Sequence, residues 1–174
     1  MTDQFATKIS EIMNTRIETV GASATVKDIA IKMKEEKVSS VVVLDNNTSD
    51  PLGIITERDL VTKVCINDID NTQKILAEQL MSSPLITISQ ESSPSDAAEL
   101  MIQNRVRHLL VISTESNEDE KKLSNNDRIS IKPMGIITPL DFERAKVLST
   151  SDYDKDSSIG RILDHYRNDF DFFS

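Results

Sequence analysis

The sequence has 174 residues, 38% of them hydrophobic and 28% charged, and its formal net charge is −9. These values are typical of a soluble protein that forms one compact domain or two small halves with a shared core. The negative charge disfavours binding to nucleic acid or to an anionic membrane surface, and no run of about 20 apolar residues is present to span a bilayer.

The N-terminal sequence MTDQFATKIS lacks the basic and apolar regions of a signal peptide. Cys65 is the single cysteine, so an internal disulfide cannot form, which fits a reducing cytoplasm. We therefore expect a cytoplasmic protein without a membrane span. Cys65 itself is expected to be a small core residue at the end of a helix.

Most of the chain is a pattern that occurs twice. The stretch PLGIITERDL at residues 51–60 returns as PMGIITPLDF at residues 133–142, with proline, glycine, two isoleucines, threonine and aspartate in the same places. A shift of 68 positions aligns the earlier parts of the copies, for example Val20 with Ile88, and the shift becomes 82 after residue 44. The 14 extra residues of the second copy fall in a polar stretch at about 113–132, which predicts a long surface loop. Two copies are too few for a solenoid and favour a pair packed face to face.

Each copy predicts the order strand, helix, strand, strand, helix. A short extended piece, at 17–20 and again at 85–88, precedes a helix whose apolar residues recur at helical spacing. These residues are expected to form one buried stripe, which in the first copy comprises Val26, Ile29, Ala30 and Met33. Two apolar strands follow, predicted at 40–44 and 52–56 in the first copy and at 109–113 and 134–138 in the second. Because such strands indicate sheets buried on both faces, the predicted fold class is α/β (α+β), with two β-α-β-β-α repeats packed sheet to sheet.

This order divides the chain into a first repeat at 8–66, a second repeat at 75–148 and a C-terminal tail at 149–174. The tail sequence SSIGRILDHYRNDFDFF predicts an amphipathic helix. Its apolar side comprises Ile159, Ile162, Leu163, Tyr166 and Phe170. Five of the seven aromatic residues lie in the tail at 149–174, namely Tyr153, Tyr166, Phe170, Phe172 and Phe173. Two alternatives stay open: a helix that docks on its own domain, or an aromatic anchor for a sister subunit or another partner.

The repeated Gly-Ile-Ile-Thr segment leads into the candidate ligand-binding residues. A strand ends at Thr56 and a helix begins there, so backbone N–H groups face the turn. The Thr56 hydroxyl suits a phosphate or ribose oxygen, and the Asp59 carboxylate can accept from both hydroxyls of a ribose. The alternative is a capping box that needs no ligand. The pairs Thr25/Asp28 and Ser93/Asp96 have similar spacing without the preceding strand, and we interpret them as caps alone.

The twin G-h-x-T-x-x-D segments, the M-x(5)-TV-like openings and the stretch RVRHLLV at 105–111 closely resemble a tandem pair of CBS domains, over about residues 8–148. The resemblance implies two repeats related by a pseudo-two-fold axis, with two clefts that bind adenine nucleotides, and dimers formed through exposed helices. The family's phosphate and ribose contacts match Thr56, Asp59, Thr138 and Asp141. Its adenine contacts match the backbone around Ile17, Ala22 and Leu85.

The resemblance also predicts that the two clefts differ. Family geometry places Thr56 and Asp59 opposite Arg107 and His108, with Arg58 beside them. It places Thr138 and Asp141 opposite Ser39 and Ser40, with Pro139 and Leu140 in place of Glu57 and Arg58. Because arginine grips phosphate through two charge-assisted hydrogen bonds, the first cleft is expected to bind phosphate, and the second to be weaker or suited to a nucleoside. A structural role for His108 is the alternative.

The resulting hypothesis is a non-enzymatic regulatory module, a candidate energy sensor that signals the occupancy of an adenine nucleotide by a shift in repeat orientation. AMP is the default ligand, while ADP, ATP, S-adenosylmethionine and a dinucleoside polyphosphate stay open. We expect a homodimer, with the tail available to a protein partner, and neither nucleic acid nor membrane as a partner. The sequence has no metal-ligand spacing, phosphate-binding P-loop or nucleophile elbow, so no catalytic or metal-binding residue is predicted. The competing hypotheses are an assembly protein with vestigial clefts and a binder of adenosine-ended RNA.

Overall fold

The protein divides into two compact units. The first unit is Ile17–Leu85, and the second unit comprises Met1–Arg16 and Ile86–Ser174. The computed structural model describes residues 8–65, 74–113, 132–144 and 157–170. The predicted polar loop, apart from its first and last residues, lies outside the described residues, as do Tyr153, Phe172 and Phe173.

The first unit contains a three-stranded sheet in the order β1-β2-β3, in which β1 and β2 are parallel and β2 and β3 antiparallel. Its elements are β1 (Thr19–Gly21), α1 (Val26–Glu36), β2 (Ser40–Leu44), β3 (Pro51–Thr56), α2 (Glu57–Asp59), which continues as a π-helix (Leu60–Cys65), and α3 (Ala77–Leu80).

The second unit repeats this sheet in the order β4-β5-β6 and adds a helix at its C-terminal end. Its elements are a 3-10 turn (Ile9–Glu11), β4 (Thr87–Ser89), α4 (Pro94–Asn104), β5 (Leu109–Ile112), β6 (Pro133–Ile137), α5 (Pro139–Arg144) and α6 (Ser158–Phe170). The predicted strand and helix order is confirmed in both copies. The opening strands begin two residues later than predicted, at Thr19 and Thr87, where their pairing with the next strand starts.

Capping boxes start the long helix of each unit. In the first, the Thr25 hydroxyl donates to Asp28 Oδ2 at 2.7 Å and accepts from the Asp28 N–H at 3.2 Å. Ser93 and Asp96 make the same contacts at the start of α4. Since these bonds satisfy backbone donors that a helix N-terminus leaves without partners, the prediction of caps at both positions is confirmed.

The two long helices, α1 and α4, are buried to different extents, and the tail helix explains the difference. Ala30 of α1 is exposed, so its predicted place in the buried stripe is wrong, whereas the equivalent Ala98 of α4 is 0% exposed. The difference arises because α6 packs against α4 and α5. Its residues Ile159, Ile162 and Leu163 belong to the hydrophobic core of the second unit. The structure therefore shows the docked alternative for the tail helix.

Cys65 ends the π-helix as predicted, but its side chain is exposed. Val64, one residue earlier, turns into the core instead. The expectation of a core cysteine was therefore wrong. Among the described residues, no helix is long and apolar enough to cross a membrane.

The outer strand of each sheet pairs with the segment that opens the other repeat in sequence. In the first unit, Ile54 and Ser82 exchange two backbone hydrogen bonds, at 3.1 and 2.9 Å. In the second unit, Ile136 and Asn14 do the same, both at 2.9 Å. Each packing unit therefore takes its opening segment from the other sequence repeat, and these contacts cover part of an otherwise open sheet edge.

Gly53 and Gly135 make this edge pairing possible. A Cβ atom on Gly53 would lie 2.6 Å from Met81 Sδ and 2.9 Å from the Ser82 carbonyl oxygen. On Gly135 it would lie 2.7 Å from the Asn14 carbonyl oxygen. At both glycines the protein's own chain approaches too closely to leave space for a side chain.

Replacing either glycine by alanine is expected to lower the free energy of unfolding by about 1–3 kcal/mol, because a backbone carbonyl must move to admit the methyl group. Gly21→Ala is the matched control, since its new Cβ would meet a movable side chain, Asn46, rather than backbone. Urea unfolding of the three variants measures the difference. Equal losses for Gly53→Ala and Gly21→Ala would contradict the account.

Leu163→Ala is expected to lower the free energy of unfolding by about 2–5 kcal/mol, because it opens a cavity in the core of the second unit. Arg161→Ala, on the exposed side of α6, is the control and should be near neutral. If α6 docks on its own chain, the Leu163→Ala loss stays the same across protein concentrations. A loss that grows on dilution would assign the contact to a second subunit.

Candidate functional site

Thr56 and Asp59 form a tight pair where β3 passes into α2. The Thr56 hydroxyl donates to Asp59 Oδ2 at 2.6 Å, and the Thr56 N–H donates to the same oxygen at 2.8 Å. In return, the Asp59 N–H donates to the Thr56 hydroxyl at 3.2 Å. The pair is thus a complete capping box, as at Thr25 and Asp28, so its hydrogen bonds do not by themselves indicate a ligand.

Two further side chains distinguish Asp59 from the ordinary caps. Lys63 lies one helical turn later, and its Nζ is 2.8 Å from Asp59 Oδ1. The Ser82 hydroxyl donates to the same oxygen at 3.2 Å. Lys63 also donates to the Leu80 carbonyl oxygen at 2.8 Å and to the Ser82 hydroxyl at 3.3 Å. The Asp59 carboxylate is therefore the centre of a network that joins the π-helix to the segment after α3.

Neither Lys63 nor Ser82 was among the site residues predicted from the sequence. The spacing of Asp59 and Lys63 is a sequence signal for an ion pair, since residues four apart are neighbours on a helix. Ser82 gives no such signal, because it reaches the site only through the backbone pairing with Ile54.

The surroundings of Asp59 favour its charged form. Burial opposes ionisation and is the largest single effect, but the hydrogen bonds from Lys63 and Thr56 and the charge of Lys63 together outweigh it. The pKa of Asp59 therefore lies below its ordinary value.

Thr138 and Asp141 form the equivalent pair in the second unit, where fewer described groups donate to the aspartate carboxylate than at Asp59. The Thr138 hydroxyl and N–H both donate to Asp141 Oδ2, each at 2.8 Å. The Asp141 N–H donates to the Thr138 carbonyl oxygen rather than to its hydroxyl. Across the described parts of the chain, no residue donates a hydrogen bond to Asp141 Oδ1.

Burial dominates the electrostatics of Asp141, whose exposed fraction is 9%. It raises the pKa of the carboxyl above its ordinary value, although the hydrogen bonds from Thr138 and the charge of Arg144 act in the opposite direction. Two copies of one motif thus have pKa shifts of opposite sign. The sequence accounts for the difference, because Ala145 stands where the first copy has Lys63, and Asn14 stands where it has Ser82.

Each unit places further predicted residues at the same sheet end as its own threonine. Ser40 pairs with Thr56 across β2 and β3, and the Ser39 carbonyl accepts from the Glu57 N–H at 3.0 Å. His108 directly precedes Leu109, whose partner Ile137 directly precedes Thr138. The predicted pairing of Arg107 and His108 with Thr56, and of the serines with Thr138, joins residues of different units and stays a prediction.

Arg107 has a neighbour in its own unit that sequence reasoning missed. Its guanidinium carbon lies 5.9 Å from the centre of the Tyr166 ring on α6, within reach of a cation–π interaction. Arg167 of the same helix forms a salt bridge with Glu143 of α5 at 2.6 Å. Both contacts join α6 to the end of the sheet that holds Thr138.

The predicted adenine contacts all lie in the first unit, where Ala22 is buried and Ile17 and Leu85 are half-buried. The Ala22 N–H donates to the Leu44 carbonyl at 2.9 Å, and its carbonyl accepts from the Glu78 N–H at 3.1 Å. Arg58 is exposed, and its carbonyl accepts from the Thr62 hydroxyl. In the described ranges, no group of three or more His, Cys, Asp and Glu residues could hold a metal ion.

Comparison with known proteins identifies the family. The CBS domain matches residues 9–65 and 77–147, so this chain belongs to the CBS domain family and carries two copies of the domain. An uncharacterized protein of Methanopyrus kandleri is 31% identical over 134 residues, a match that covers 75% of this chain and 65% of that relative. The chain therefore spans just under two thirds of that relative's length.

Solved structures of CBS proteins have the same fold. The hexameric CBS-CP12 protein from bloom-forming cyanobacteria matches with a TM-score of 0.64 and 29% identity, covering 78% of this chain and 66% of that chain. A CBS domain protein from Pyrobaculum aerophilum, complexed with AMP, matches with a TM-score of 0.61 and 19% identity, covering 78% of this chain and 89% of that chain.

The opposite pKa shifts predict opposite effects of removing the two charges. At pH 7, Asp141→Asn is expected to maintain or raise the free energy of unfolding, because asparagine still accepts from Thr138 while the cost of a buried charge disappears. Asp59→Asn is expected to lower it by about 1 kcal/mol, the upper range for an ion pair whose lysine is 42% exposed.

The pH dependence checks the sign for Asp141. Its folded pKa is raised, so the charge destabilises the fold at high pH and has no effect below the unfolded pKa, ordinarily 3.8. Any advantage of Asp141→Asn over the wild type should therefore shrink as the pH falls toward that value. Urea unfolding across the pH range measures it, and a gap that widens at low pH would contradict the assignment.

Proposed function

We propose that this protein is a regulatory module that binds an adenine nucleotide, with AMP as the default ligand. The observation that carries the proposal is the buried Asp141 carboxylate, in which Oδ2 accepts from Thr138 while Oδ1 accepts from no residue that the structure describes. A carboxylate buried at this cost, with one oxygen still able to accept, suits a ligand with vicinal hydroxyls such as a ribose.

The family adds support for the choice of ligand. A structural neighbour, the CBS protein from Pyrobaculum aerophilum, is complexed with AMP. In this proposal Thr138 and Asp141 hold the ribose of one ligand, and Thr56 and Asp59 hold that of another. The two adenines contact the backbone of the two segments predicted for them, one around Ile17 and Ala22 and the other around Leu85. ADP, ATP, S-adenosylmethionine and a dinucleoside polyphosphate are the other members of the same ligand class.

The proposed role is sensing rather than catalysis. A ligand that contacts both repeats favours one relative orientation of them, and its affinity difference between the orientations sets the size of the shift. In the same proposal the protein works in the cytoplasm as a homodimer and passes its state to a protein partner. The hexameric CBS-CP12 relative supports self-association as a property of such chains.

An assembly protein with vestigial clefts is the second candidate, and one observation favours it. The Asp59 carboxylate has a complete set of internal partners, as expected of a structural network. The two candidates differ in whether any adenine nucleotide stabilises the fold.

A thermal-shift panel of AMP, ADP, ATP, S-adenosylmethionine and adenosine, with GMP as the base control, tests the proposal. A ligand at 100 times its Kd stabilises the folded state by about 2.7 kcal/mol, and AMP is expected to do so. Melting curves that no adenine compound shifts would contradict the proposal and favour the assembly protein.

Asp141→Ala is expected to weaken AMP binding by about 1.5–3 kcal/mol, the range for hydrogen bonds to a charged group. 2′-Deoxyadenosine should lose less than adenosine on the same substitution, because it offers one hydroxyl fewer. Asp96→Ala, which removes an ordinary cap, is the matched control and should leave the affinity unchanged. Isothermal titration measures both, and equal losses for the two variants would make Asp141 a cap alone.

A further inference from the structure

Donors from the protein itself occupy the hydrogen-bonding positions of the Asp59 carboxylate. An ionised carboxylate offers about four lone-pair positions. Oδ2 accepts from the Thr56 N–H and hydroxyl, and Oδ1 accepts from Lys63 and Ser82. All four positions therefore have donors from the protein itself. A ligand hydroxyl can reach this carboxylate only by replacing one of them.

The four donors differ in how readily they can leave. The Thr56 donors belong to the helix cap, so losing them leaves backbone groups without partners. Lys63 is 42% exposed and keeps the Leu80 carbonyl as a second acceptor at 2.8 Å. Ser82 is exposed as well. Lys63 and Ser82 are therefore the donors that a ligand would displace.

We propose that Lys63, with Ser82, is an internal competitor for the ribose at Asp59 and sets the affinity of the first unit's site. The inference rests on the proposed function, since it assumes that Asp59 accepts from a ribose. The second unit has Ala145 and Asn14 at the equivalent sequence positions, and Asn14 uses its side-chain oxygen to accept from the Arg16 N–H at 2.9 Å. The same Thr-x-x-Asp motif thus binds ribose directly at Asp141 and by exchange at Asp59.

Lys63 also connects Asp59 to the segment after α3, with which the first unit ends. Lys63 binds Leu80 and Ser82, and the first unit ends at Leu85. A ribose that takes the place of Lys63 and Ser82 on Asp59 removes the hydrogen bond from Ser82 to α2 and the ion pair that holds Lys63 in position. Occupancy of the site therefore changes how firmly the segment is held.

The test is the affinity for adenosine in a chain that carries Asp141→Ala, so that the first unit's site is measured. Adenosine has no phosphate, so the charge of Lys63 cannot act on the ligand through phosphate attraction. Lys63→Met removes the ammonium group and keeps the apolar stem. It is expected to tighten adenosine binding roughly two- to fivefold, the range for a partly exposed ion pair.

Three variants serve as controls. Lys63→Arg keeps a cation beside Asp59 and should not show the tightening expected of Lys63→Met. Lys27→Met removes one positive charge on α1 without touching Asp59, and should also bind as the parent does. Ser82→Ala removes the second donor on Oδ1 while its backbone still pairs with Ile54, and should tighten binding by less than Lys63→Met does.

Each outcome decides a different claim. If Lys63→Met binds adenosine no tighter than its parent, or if Lys27→Met tightens it equally, the competitor role is wrong while the proposed function stands. If the parent binds too weakly for a Kd, the thermal shifts at one high adenosine concentration are compared, and a shift in Lys63→Met no larger than that of the parent overturns the inference. If neither adenosine nor AMP binds the wild-type chain, the proposed function fails, and the inference fails with it.

Discussion

The backbone pairing of Ile54 with Ser82 is the contact on which the chemistry of the first unit depends. It requires Gly53, because a Cβ at that position would collide with Met81 and with the Ser82 carbonyl. The pairing brings Ser82 and the Leu80 carbonyl to the end of the π-helix, where Lys63 binds both. The backbone pairing at the edge of the sheet therefore determines which groups reach Asp59.

The two repeats show how one motif acquires two electrostatic states. Thr56/Asp59 and Thr138/Asp141 have the same spacing and lie at the same place in the fold, yet one carboxylate is saturated with donors and the other is buried with few. The hydrogen bonds and the Lys63 charge stabilise the ionised form of Asp59, whereas burial destabilises the ionised form of Asp141. In the proposed function these two pairs are ribose sites of unequal affinity, and unequal sites can respond to different concentrations of one ligand.

The sequence predicted the strand and helix order, the caps at Thr25 and Ser93, and the two Thr-x-x-Asp pairs, because periodicity and cap spacing are local signals. It did not separate Ala30 from Ala98, since both occupy the same position of the repeat and α6 covers one of them. Nor did it predict Ser82 as a partner of Asp59. That contact depends on which segment pairs with the edge of the sheet, and the exchange of opening segments between the repeats is a tertiary property.

The most direct test of this account is the titration of the two carboxyl groups by carbon NMR, with Asp59 and Asp141 assigned through single substitutions. The account predicts that Asp59 titrates below the ordinary aspartate pKa of 3.8 and that Asp141 titrates above it. Lys63→Met should move the pKa of Asp59 upward and leave that of Asp141 unchanged. Equal pKa values for the two carboxyl groups, or an Asp59 pKa that does not respond to the loss of Lys63, would contradict the account.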